Sequence, residues 1–350
     1  MAETTRAAVI HAPHDLRIEV RTVPQPGPAE VRVRVRAGGI CGSDLHYFHH
    51  GGFGTVRLRA PMVLGHEVAG VVEAVGDAVT TLRPGDPVAV NPSLPCGHCR
   101  FCLAGRANHC LDMRFHGSAM RDPHVDGGFR DVLVCHAAQA VKADMPAERA
   151  AFAEPLAVAL HAARQAGTLL GARVLVTGAG PIGALCLLAA RHAGAREVVA
   201  TDLIDAPLAM ARRLGADAAH NLRTAPDALA PYAAEKGMFD AVFECSGSAA
   251  ALAGAIPVAR PGAVIVQVGL GGAETPVPLN ALVAKEITLR GTFRFHAEFA
   301  LAVDVLARGA IDVSPLLSAT LPLAAAAEAF ALASDRARAM KVQLAFSPEV

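Results

Sequence analysis

The sequence has no excess of charge of either sign. Its 350 residues include 32 Lys plus Arg and 32 Asp plus Glu, a formal net charge of zero at pH 7. A balanced chain has no overall electrostatic attraction to nucleic acid or to an anionic membrane. No apolar run approaches the ~20 residues of a membrane span, because glycine, proline and charged residues interrupt each run. We therefore expect a protein that binds neither nucleic acid nor membrane.

The sequence also lacks the signs of a secreted protein. Glu3 and Arg6 interrupt the first residues, so the apolar segment of a signal peptide is missing. Four of the eight cysteines fall between Cys96 and Cys110, and the others are scattered. That clustering is typical of metal binding in a reducing compartment and not of a disulfide framework. The sequence predicts a cytoplasmic protein.

The length, the composition and the pattern of hydrophobic residues predict about two globular domains. Hydrophobic residues make up 53% of the chain and charged residues 18%, which excludes a disordered chain. The length suggests about two domains, at roughly 100–200 residues each. Before Gly171, short alternating segments such as 31–36, separated by Gly and Pro, predict the strands of a partly closed β-barrel. The alternating arginines of 31–36 are interpreted as a solvated strand face, since no aromatic residue is interleaved for base stacking.

After Gly171, short apolar runs alternate with helical patterns. Strands are predicted over 173–177, 197–201, 239–244, 263–268 and 287–290, and helices over 181–192 and 205–214. This alternation is typical of a doubly wound parallel sheet. The end of the chain returns to a mixed pattern, with a helix predicted near 323–333 and a strand over 341–346.

A dinucleotide fingerprint opens the second part. Gly178-Ala179-Gly180-Pro181-Ile182-Gly183 is G-x-G-x-x-G between a predicted strand and a predicted helix, and Asp202 follows 19 residues later. The three glycines permit a tight turn, backbone approach to a pyrophosphate and close packing of the helix on the sheet. Asp202 can accept hydrogen bonds from the ribose and repel a 2′-phosphate, which favours NAD over NADP by at least about tenfold. An ordinary strand–helix turn is the alternative interpretation.

The clustered cysteines have the spacing of a metal site. Cys96, Cys99, Cys102 and Cys110 place four thiolates in one loop. Four sulfur ligands fill a tetrahedral zinc site and leave no open position, so the pattern predicts a structural zinc. A four-cysteine iron–sulfur cluster and four free buried thiols are the alternatives.

A second candidate metal site must be assembled from distant segments. Cys41, His66-Glu67 and Glu154 together offer a soft thiolate, an imidazole and two carboxylates. Three such ligands and an open position make a catalytic zinc site, which lowers the pKa of a bound alcohol. Each residue on its own is more typical of a core or surface position.

Taken together, these elements resemble the zinc-dependent medium-chain dehydrogenase/reductase family, in the family's order and over essentially the whole chain. The resemblance implies an α/β fold with two domains and an active site in the cleft between them. A GroES-like β-barrel catalytic domain is expected over 1–150, completed by 296–350, and a Rossmann NAD-binding domain with a doubly wound parallel sheet over 151–295. Two zinc ions per chain, NAD and a homo-oligomer, tetramer or dimer, are implied as well.

Glu154 stands where alcohol dehydrogenases of this family carry a second zinc-binding cysteine. The replacement of that cysteine by glutamate is characteristic of the polyol and sorbitol dehydrogenase branch. Within it, segments such as 38–47, 60–68, 123–129, 152–159 and 291–295 resemble the subgroup that oxidises the sugar acid L-idonate at C5 to 5-keto-D-gluconate. A sorbitol or xylitol dehydrogenase is the alternative enzyme. The stretch 203–207 departs from the polyol pattern because it contains no basic residue, which removes one expected adenosine contact.

The resemblance also implies residue roles. They are Cys41, His66, Glu67 and Glu154 for the catalytic zinc; Ser43 and His46 for the proton relay; Val268 and Gly269 for the cofactor; and Tyr47, Arg114, Phe115 and Arg294 for the substrate. Glu67 is the favoured direct ligand, and Glu154 is either a ligand or a catalytic partner of the zinc-bound water. The substrate carboxylate is expected to bind a guanidinium, which can form two parallel hydrogen bonds with it. Arg294, between Phe293 and Phe295, is the first candidate and Arg114 the second; a surface salt bridge is the alternative for either.

Three other classes of protein fit the sequence less well. A zinc-ribbon module for nucleic acid or protein would use the four-cysteine loop, but the zero net charge and the fingerprint both argue against it. A non-catalytic binding protein would not need the intact set of zinc ligands. An alkene or quinone reductase of the same fold usually lacks this metal set.

Overall fold

The computed structural model describes residues 3–272 and 274–346, and these divide into two compact units. The first unit runs to Glu154 and includes Phe299–Asp335 and the chain from Lys341 onwards; the second comprises Pro155–Glu298 and Arg336–Met340. The C-terminal region was expected to complete the first domain. Its short segment Arg336–Met340 belongs instead to the second unit. None of the helices in the described ranges has the length and hydropathy needed to traverse a bilayer.

Strands and helices are numbered in chain order. The strands before the second unit are β1 (Thr4–Ala12), β2 (Asp15–Thr22), β3 (Glu30–Gly39), β4 (Gly52–Phe53), β5 (Val56–Arg57), β6 (Met62–Val63), β7 (Glu67–Val75), β8 (Pro87–Val90), β9 (Ser93–Leu94), β10 (Arg114–Phe115), β11 (Val132–His136) and β12 (Ala140–Lys142). Those that follow are β13 (Arg173–Thr177), β14 (Glu197–Asp202), β15 (Ala218–Asn221), β16 (Phe239–Glu244), β17 (Ala259–Gln267), β18 (Thr288–Gly291), β19 (Leu317–Pro322) and β20 (Lys341–Ala345).

The helices are α1 (Gly42–His50), α2 (Arg100–Leu103), α3 (Ala147–Ala150), α4 (Ala153–Ala166), α5 (Pro181–His192), α6 (Asp205–Arg213), α7 (Ala249–Val258), α8 (Leu279–Ala284), α9 (Glu298–Ala307) and α10 (Ala326–Ser334). Short 3-10 turns cover Ala107–His109, Ala137–Gln139, Ala230–Lys236, Ser314–Leu316 and Leu323–Ala325.

A mostly antiparallel sheet of seven strands forms the centre of the first unit. Its order is β12-β8-β7-β3-β20-β19, with β11 also paired to β3. The valines of β3 are buried at every second position, as the alternation of 31–36 predicts. The arginines between them are not simply solvated, however, because Arg32 and Arg34 both donate hydrogen bonds to the Glu73 carboxylate on β7. The arginine row is thus part of an ion-pair network on that face of the sheet.

The C-terminal end of β3 is where three distant segments meet. Gly39 pairs with Glu67 of β7 on one side and with Gln343 of β20 on the other. Cys41 follows β3 at once and immediately precedes α1. Strand register therefore brings Cys41, the start of β7 and the start of β20 to one place, which the linear order of the chain does not suggest.

The second unit has the predicted doubly wound sheet. Six parallel strands stand in the order β15-β14-β13-β16-β17-β18, so the chain winds outward in both directions from β13. The predicted bounds of β13, β16 and α5 are confirmed without change. Strand β17 begins at Ala259, earlier than the predicted 263, and a register shift between Phe239 and Ala241 accommodates the extra residues. Phe239, Val242 and Ile265 are fully buried in the core of this unit.

Candidate active site and metal centres

The four-cysteine loop brings its sulfur atoms together without forming a disulfide. The four ligand atoms lie within 4.8 Å of one another, with Cys99 Sγ 3.5 Å from Cys102 Sγ and 4.0 Å from Cys110 Sγ. A tetrahedral site with Zn–S bonds of about 2.3 Å separates its sulfurs by about 3.8 Å. The backbone N–H groups of Leu111 and Cys102 lower the pKa of the Cys99 thiol to about 6, which favours a thiolate ligand. The loop fits zinc.

We expect Cys99→Ser to remove one zinc per chain and leave catalysis nearly unchanged. The loop has four ligands and no open position, so its metal stabilises the fold locally and does not touch substrate. Metal analysis should fall by one zinc per chain, and kcat/KM of the folded fraction should stay within about threefold of wild type, less than 1 kcal/mol in the barrier. A folded variant that kept all its zinc, or that lost all activity, would contradict the structural assignment.

A second cluster forms where β3, β7 and β20 meet. Ligand atoms of Cys41, His66 and Glu67 lie within 4.8 Å of one another. His66 and Glu67 are buried at 5% and 1% exposure, and Nδ1 of His66 has no hydrogen-bond partner within the described residues. Gly65 turns the chain into this position with φ of +94°, and an added Cβ would lie 2.1 Å from the Phe129 ring. A partly buried thiol beside a buried imidazole and a buried carboxylate, at this spacing, suits a zinc ion.

Asp44 fixes the two segments that carry these residues. Its carboxylate is fully buried and accepts hydrogen bonds from the backbone N–H of Cys41 at 3.0 Å and of Gly65 at 3.2 Å. One of its oxygens also lies 3.7 Å from Nδ1 of His66. At that distance the two groups form no hydrogen bond, so Asp44 positions the site through the backbone at Cys41 and Gly65. Sequence reasoning missed Asp44, although its place three residues after Cys41 is that of a helix-capping acid.

Lys341 is the most consequential residue that sequence reasoning missed here. Its Nζ lies 2.7 and 2.8 Å from the two carboxylate oxygens of Glu67 and donates a further hydrogen bond to the backbone carbonyl of Ile40 at 3.1 Å. Lys341 and Glu67 are 3% and 1% exposed. Burial alone lowers the pKa of Lys341, but the charge and hydrogen bonds of Glu67, together with Cys41 and Glu154, outweigh it and raise that pKa above its usual value. The ammonium is therefore charged and compensates Glu67.

Glu154 lies in the first turn of α4 and is 5% exposed. Burial raises the pKa of its carboxyl to about 8, with His66 opposing the shift. No hydrogen bond to its side chain is formed within the described residues. Without a cation Glu154 is therefore a protonated carboxyl at pH 7 that a metal, a water or a substrate can still approach. Glu67 is paired with Lys341 but keeps an oxygen within 4.8 Å of the ligand atoms of Cys41 and His66.

The proton-relay candidates lie on α1. Ser43 is in the first turn, and its backbone N–H donates to the Cys41 sulfur. His46 follows three residues later on the same helix face and packs against Phe53, with ring centroids 5.8 Å apart. Partial burial, together with the neighbouring His50, lowers the pKa of His46. The imidazole is therefore neutral at pH 7 and can accept a proton.

The substrate candidates are placed differently from one another. Phe115 packs against the His66 ring at 5.7 Å, whereas Arg114, its neighbour on β10, is exposed and borders a cavity with Glu30 and His136. Alternation along a strand explains why the two side chains point apart. Tyr47 is 1% exposed and its hydroxyl accepts a hydrogen bond from the Ala119 N–H, so it is held in the interior instead of lining an open wall.

Arg294 lies in the second unit, three residues after the carboxyl end of β18, and its guanidinium stacks on the Phe293 ring at 4.9 Å. Its φ of +54° is a left-handed value that non-glycine residues rarely adopt. Arg294 follows the edge strand β18, so it lies at the carboxyl ends of the strands but away from the point at β13 where the strand order reverses. Its role in substrate binding stays a prediction.

The fingerprint adopts the geometry that its glycines predict. Gly178 has φ of +82°, and a Cβ on Gly183 would lie 1.9 Å from the Gly178 carbonyl oxygen. Helix α5 begins directly after Gly180 with Pro181 in its first turn. Val268 and Gly269 follow β17 at the same edge of the sheet, and their N–H groups both donate to the Glu244 carbonyl at 2.8 Å. The free N–H groups at the start of α5 are where a pyrophosphate is expected to bind.

Asp202 ends β14, as predicted, but it does not stand alone. Its Oδ2 accepts hydrogen bonds from the Ala179 N–H at 2.8 Å and from Nη2 of Arg336 at 2.7 Å. The base that is missing from 203–207 is thus supplied from the C-terminal region. The sequence carried no local signal for this pair, which joins residues 134 positions apart.

Comparisons with known proteins agree with this arrangement. The family model of the alcohol dehydrogenase GroES-like domain matches residues 27–146, and that of the zinc-binding dehydrogenases matches residues 181–308. L-idonate 5-dehydrogenase (NAD(P)(+)) of Escherichia coli K12 is 47% identical over 316 residues, 90% of this chain and 91% of that protein. Human sorbitol dehydrogenase is 39% identical over 329 residues, 92% of this chain and 90% of the other.

A solved structure gives the same result. The crystal structure of L-idonate 5-dehydrogenase from Escherichia coli K-12 superposes with a TM-score of 0.94 at 44% identity and covers 99% of both chains. The predicted combination of a GroES-like domain with a Rossmann-type parallel sheet is confirmed.

Proposed function

The chain belongs to the zinc-binding alcohol dehydrogenase family, and from that premise we propose that it oxidises L-idonate at C5 to 5-keto-D-gluconate, reversibly, with NAD as hydride acceptor. It is a dehydrogenase of the polyol and sugar-acid type, since its relatives include enzymes named for L-idonate and for sorbitol. The single observation that carries the proposal is the buried cluster of Cys41, His66 and Glu67 in a chain 47% identical to an L-idonate 5-dehydrogenase. Incubation of the purified protein with L-idonate and NAD should yield NADH and 5-keto-D-gluconate in equal amounts.

Two zinc ions per chain have separate roles in this proposal. The four-cysteine loop holds one for stability, and Cys41, His66 and Glu67 hold the other, with Glu154 as a further ligand or as the partner of a bound water. When bound at the second site, zinc supplies a Lewis acid that makes a substrate hydroxyl easier to deprotonate. The ligands are fixed by the chain itself, because Asp44 ties the backbone at Cys41 to that at Gly65.

Lys341 balances the charge of this buried site. The Glu67 carboxylate carries a negative charge that is costly to bury without compensation. Lys341 neutralises Glu67 through two short hydrogen bonds. Burial raises the pKa of Cys41 to about 12 and that of Glu154 to about 8, so a divalent cation bound here would displace their protons.

Proton release follows α1. Ser43 accepts the proton of the substrate hydroxyl and passes it to His46, whose lowered pKa keeps the imidazole neutral before the transfer. No hydrogen bond joins Ser43 and His46 in the described part of the chain, so the transfer needs a rotation of the Ser43 hydroxyl or a bridging water. His46 is exposed and can then release the proton to solvent.

Arg294 is proposed to bind the carboxylate of the sugar acid. We expect Arg294→Lys to lower kcat/KM for L-idonate by about tenfold or more and for sorbitol by less than threefold, because lysine keeps the charge but loses the two-pronged hydrogen bond. Arg213→Lys, at the exposed end of α6 in the same unit, is the matched control and should change neither value. An equal loss for both substrates would assign Arg294 to the cofactor or the fold.

Assembly into a homo-oligomer, a dimer or tetramer, remains a prediction. Strand β18 is the edge of the parallel sheet and all four of its residues are exposed. Val283 and Leu279 nearby are 75% and 66% exposed. An uncovered edge with apolar neighbours is a suitable surface for pairing with a second copy of the chain.

A further inference from the structure

We propose that Arg336 allows the dinucleotide site to accept a 2′-phosphate, so that this residue sets how well NADP competes with NAD. The inference rests on the proposed function because it assumes that the fingerprint of the second unit binds a dinucleotide. It concerns a residue outside the fingerprint and outside the strand that Asp202 ends. The geometry around the Asp202 carboxylate carries it.

Every acceptor position of Asp202 is already in use. Its Oδ1 accepts the N–H of Leu203 at 2.7 Å and of Ile204 at 3.2 Å, and its Oδ2 accepts the N–H of Ala179 at 2.8 Å and Nη2 of Arg336 at 2.7 Å. A carboxylate has about four lone-pair sites, so these four donors saturate it. Three of the donors are backbone groups whose positions the fold fixes. Arg336 is the one side-chain donor of the four, so it can move away from Asp202 when another group binds there.

Arg336 has the freedom to move and lies beside the glycine-rich turn of the fingerprint. Its side chain is 49% exposed, whereas that of Asp202 is 3% exposed. A Cβ built on Gly180 would lie 3.6 Å from Nη2 of Arg336, so the guanidinium lies beside the residue that caps α5. The guanidinium is therefore a mobile positive charge within reach of the Asp202 carboxylate.

The two cofactors make opposite demands on this pair. The ribose hydroxyls of NAD need an acceptor on Asp202, so they take the place of Arg336, which turns outward into solvent. A 2′-phosphate cannot accept a hydrogen bond from Asp202 and is repelled by its charge. It can instead accept hydrogen bonds from the Arg336 guanidinium, whose planar donors suit phosphate. Arg336 thus offsets the repulsion by which Asp202 alone would exclude NADP.

The first test compares cofactor ratios. For Arg336→Gln, we expect the ratio of kcat/KM with NAD to that with NADP to rise at least tenfold, mainly through a higher KM for NADP. The value for NAD itself should stay within threefold of wild type. Arg338→Gln is the matched control: Arg338 is exposed in the same segment and forms no hydrogen bond or ion pair within the described residues. An unchanged ratio, or equal losses with both cofactors, would overturn the proposal.

A binding measurement separates this inference from the proposed function. Calorimetric titration of the intact enzyme with 2′,5′-ADP and with ADP requires no alcohol substrate. Arg336→Gln should weaken 2′,5′-ADP at least tenfold and change ADP less than threefold. Equal weakening of both would contradict the role of Arg336 while leaving a nucleotide site in place. If wild type bound neither fragment, both the dinucleotide site and the inference would be wrong.

Discussion

Cys41→Ala should lose the catalytic zinc and at least about a thousandfold in kcat/KM, equivalent to about 4 kcal/mol in the barrier. Cys41 supplies the one sulfur atom of the cluster and directly precedes α1, so Cys41→Ala removes that ligand atom from the site. Metal analysis should fall from two zinc ions per chain to one, because the four-cysteine loop keeps its own ion. The two readouts should change together in the same preparation.

Cys135→Ala is the matched control for that experiment. Cys135 is also a cysteine of the first unit, is 3% exposed and belongs to neither metal cluster. Its zinc content should remain at two per chain and its activity close to wild type. Retention of both the second zinc and the activity in Cys41→Ala would refute the assignment of the catalytic site.

Lys341→Met should lower the free energy of unfolding of the zinc-free protein by about 3–5 kcal/mol. The substitution leaves the Glu67 carboxylate buried without its cation, and loss of one partner from a buried ion pair has that magnitude. Urea denaturation of chelator-treated protein provides the measurement. Zinc should restore part of the loss, since a divalent cation at Cys41, His66 and Glu67 again places positive charge beside the carboxylate.

Two variants make this second result interpretable. Lys142→Met removes a surface ion pair with Asp86 whose lysine is 57% exposed, and its effect should stay below about 1 kcal/mol. Glu67→Gln added to Lys341→Met should recover much of the stability, because a neutral amide costs less to bury than an unpaired carboxylate. If Lys341→Met were as stable as Lys142→Met, the buried pair would not have the energetic role described here.

Local patterns were sufficient for much of the fold. The bounds of β13 and α5 follow from one apolar run, a glycine-rich turn and a proline at the first helical position, all within 20 residues. The cysteine loop is equally local, since its four ligands lie between Cys96 and Cys110. In both cases the residues that interact are close in the chain, so spacing alone constrains their geometry.

The residues that pair with the site carboxylates Glu67 and Asp202 could not be predicted from local sequence patterns. Lys341 and Glu67 are 274 positions apart, and Arg336 and Asp202 are 134 positions apart. Each pair forms because the tertiary fold brings together segments that are distant in the sequence. The hydrophobic periodicity of the sequence contains no information about such contacts. A lysine at the start of a strand is ordinarily a surface residue. Only the register of β20 against β3 shows that Lys341 is buried and faces Glu67.

The central claim is that this chain is a zinc-dependent dehydrogenase for a sugar acid, and one substrate panel tests it most directly. The zinc-loaded protein is assayed with NAD on L-idonate, D-gluconate, sorbitol and xylitol under identical conditions, and kcat/KM is compared. The account predicts that L-idonate exceeds each of the others by at least tenfold, about 1.4 kcal/mol. A higher kcat/KM for sorbitol or xylitol than for L-idonate would contradict it and assign the enzyme to the polyol dehydrogenases.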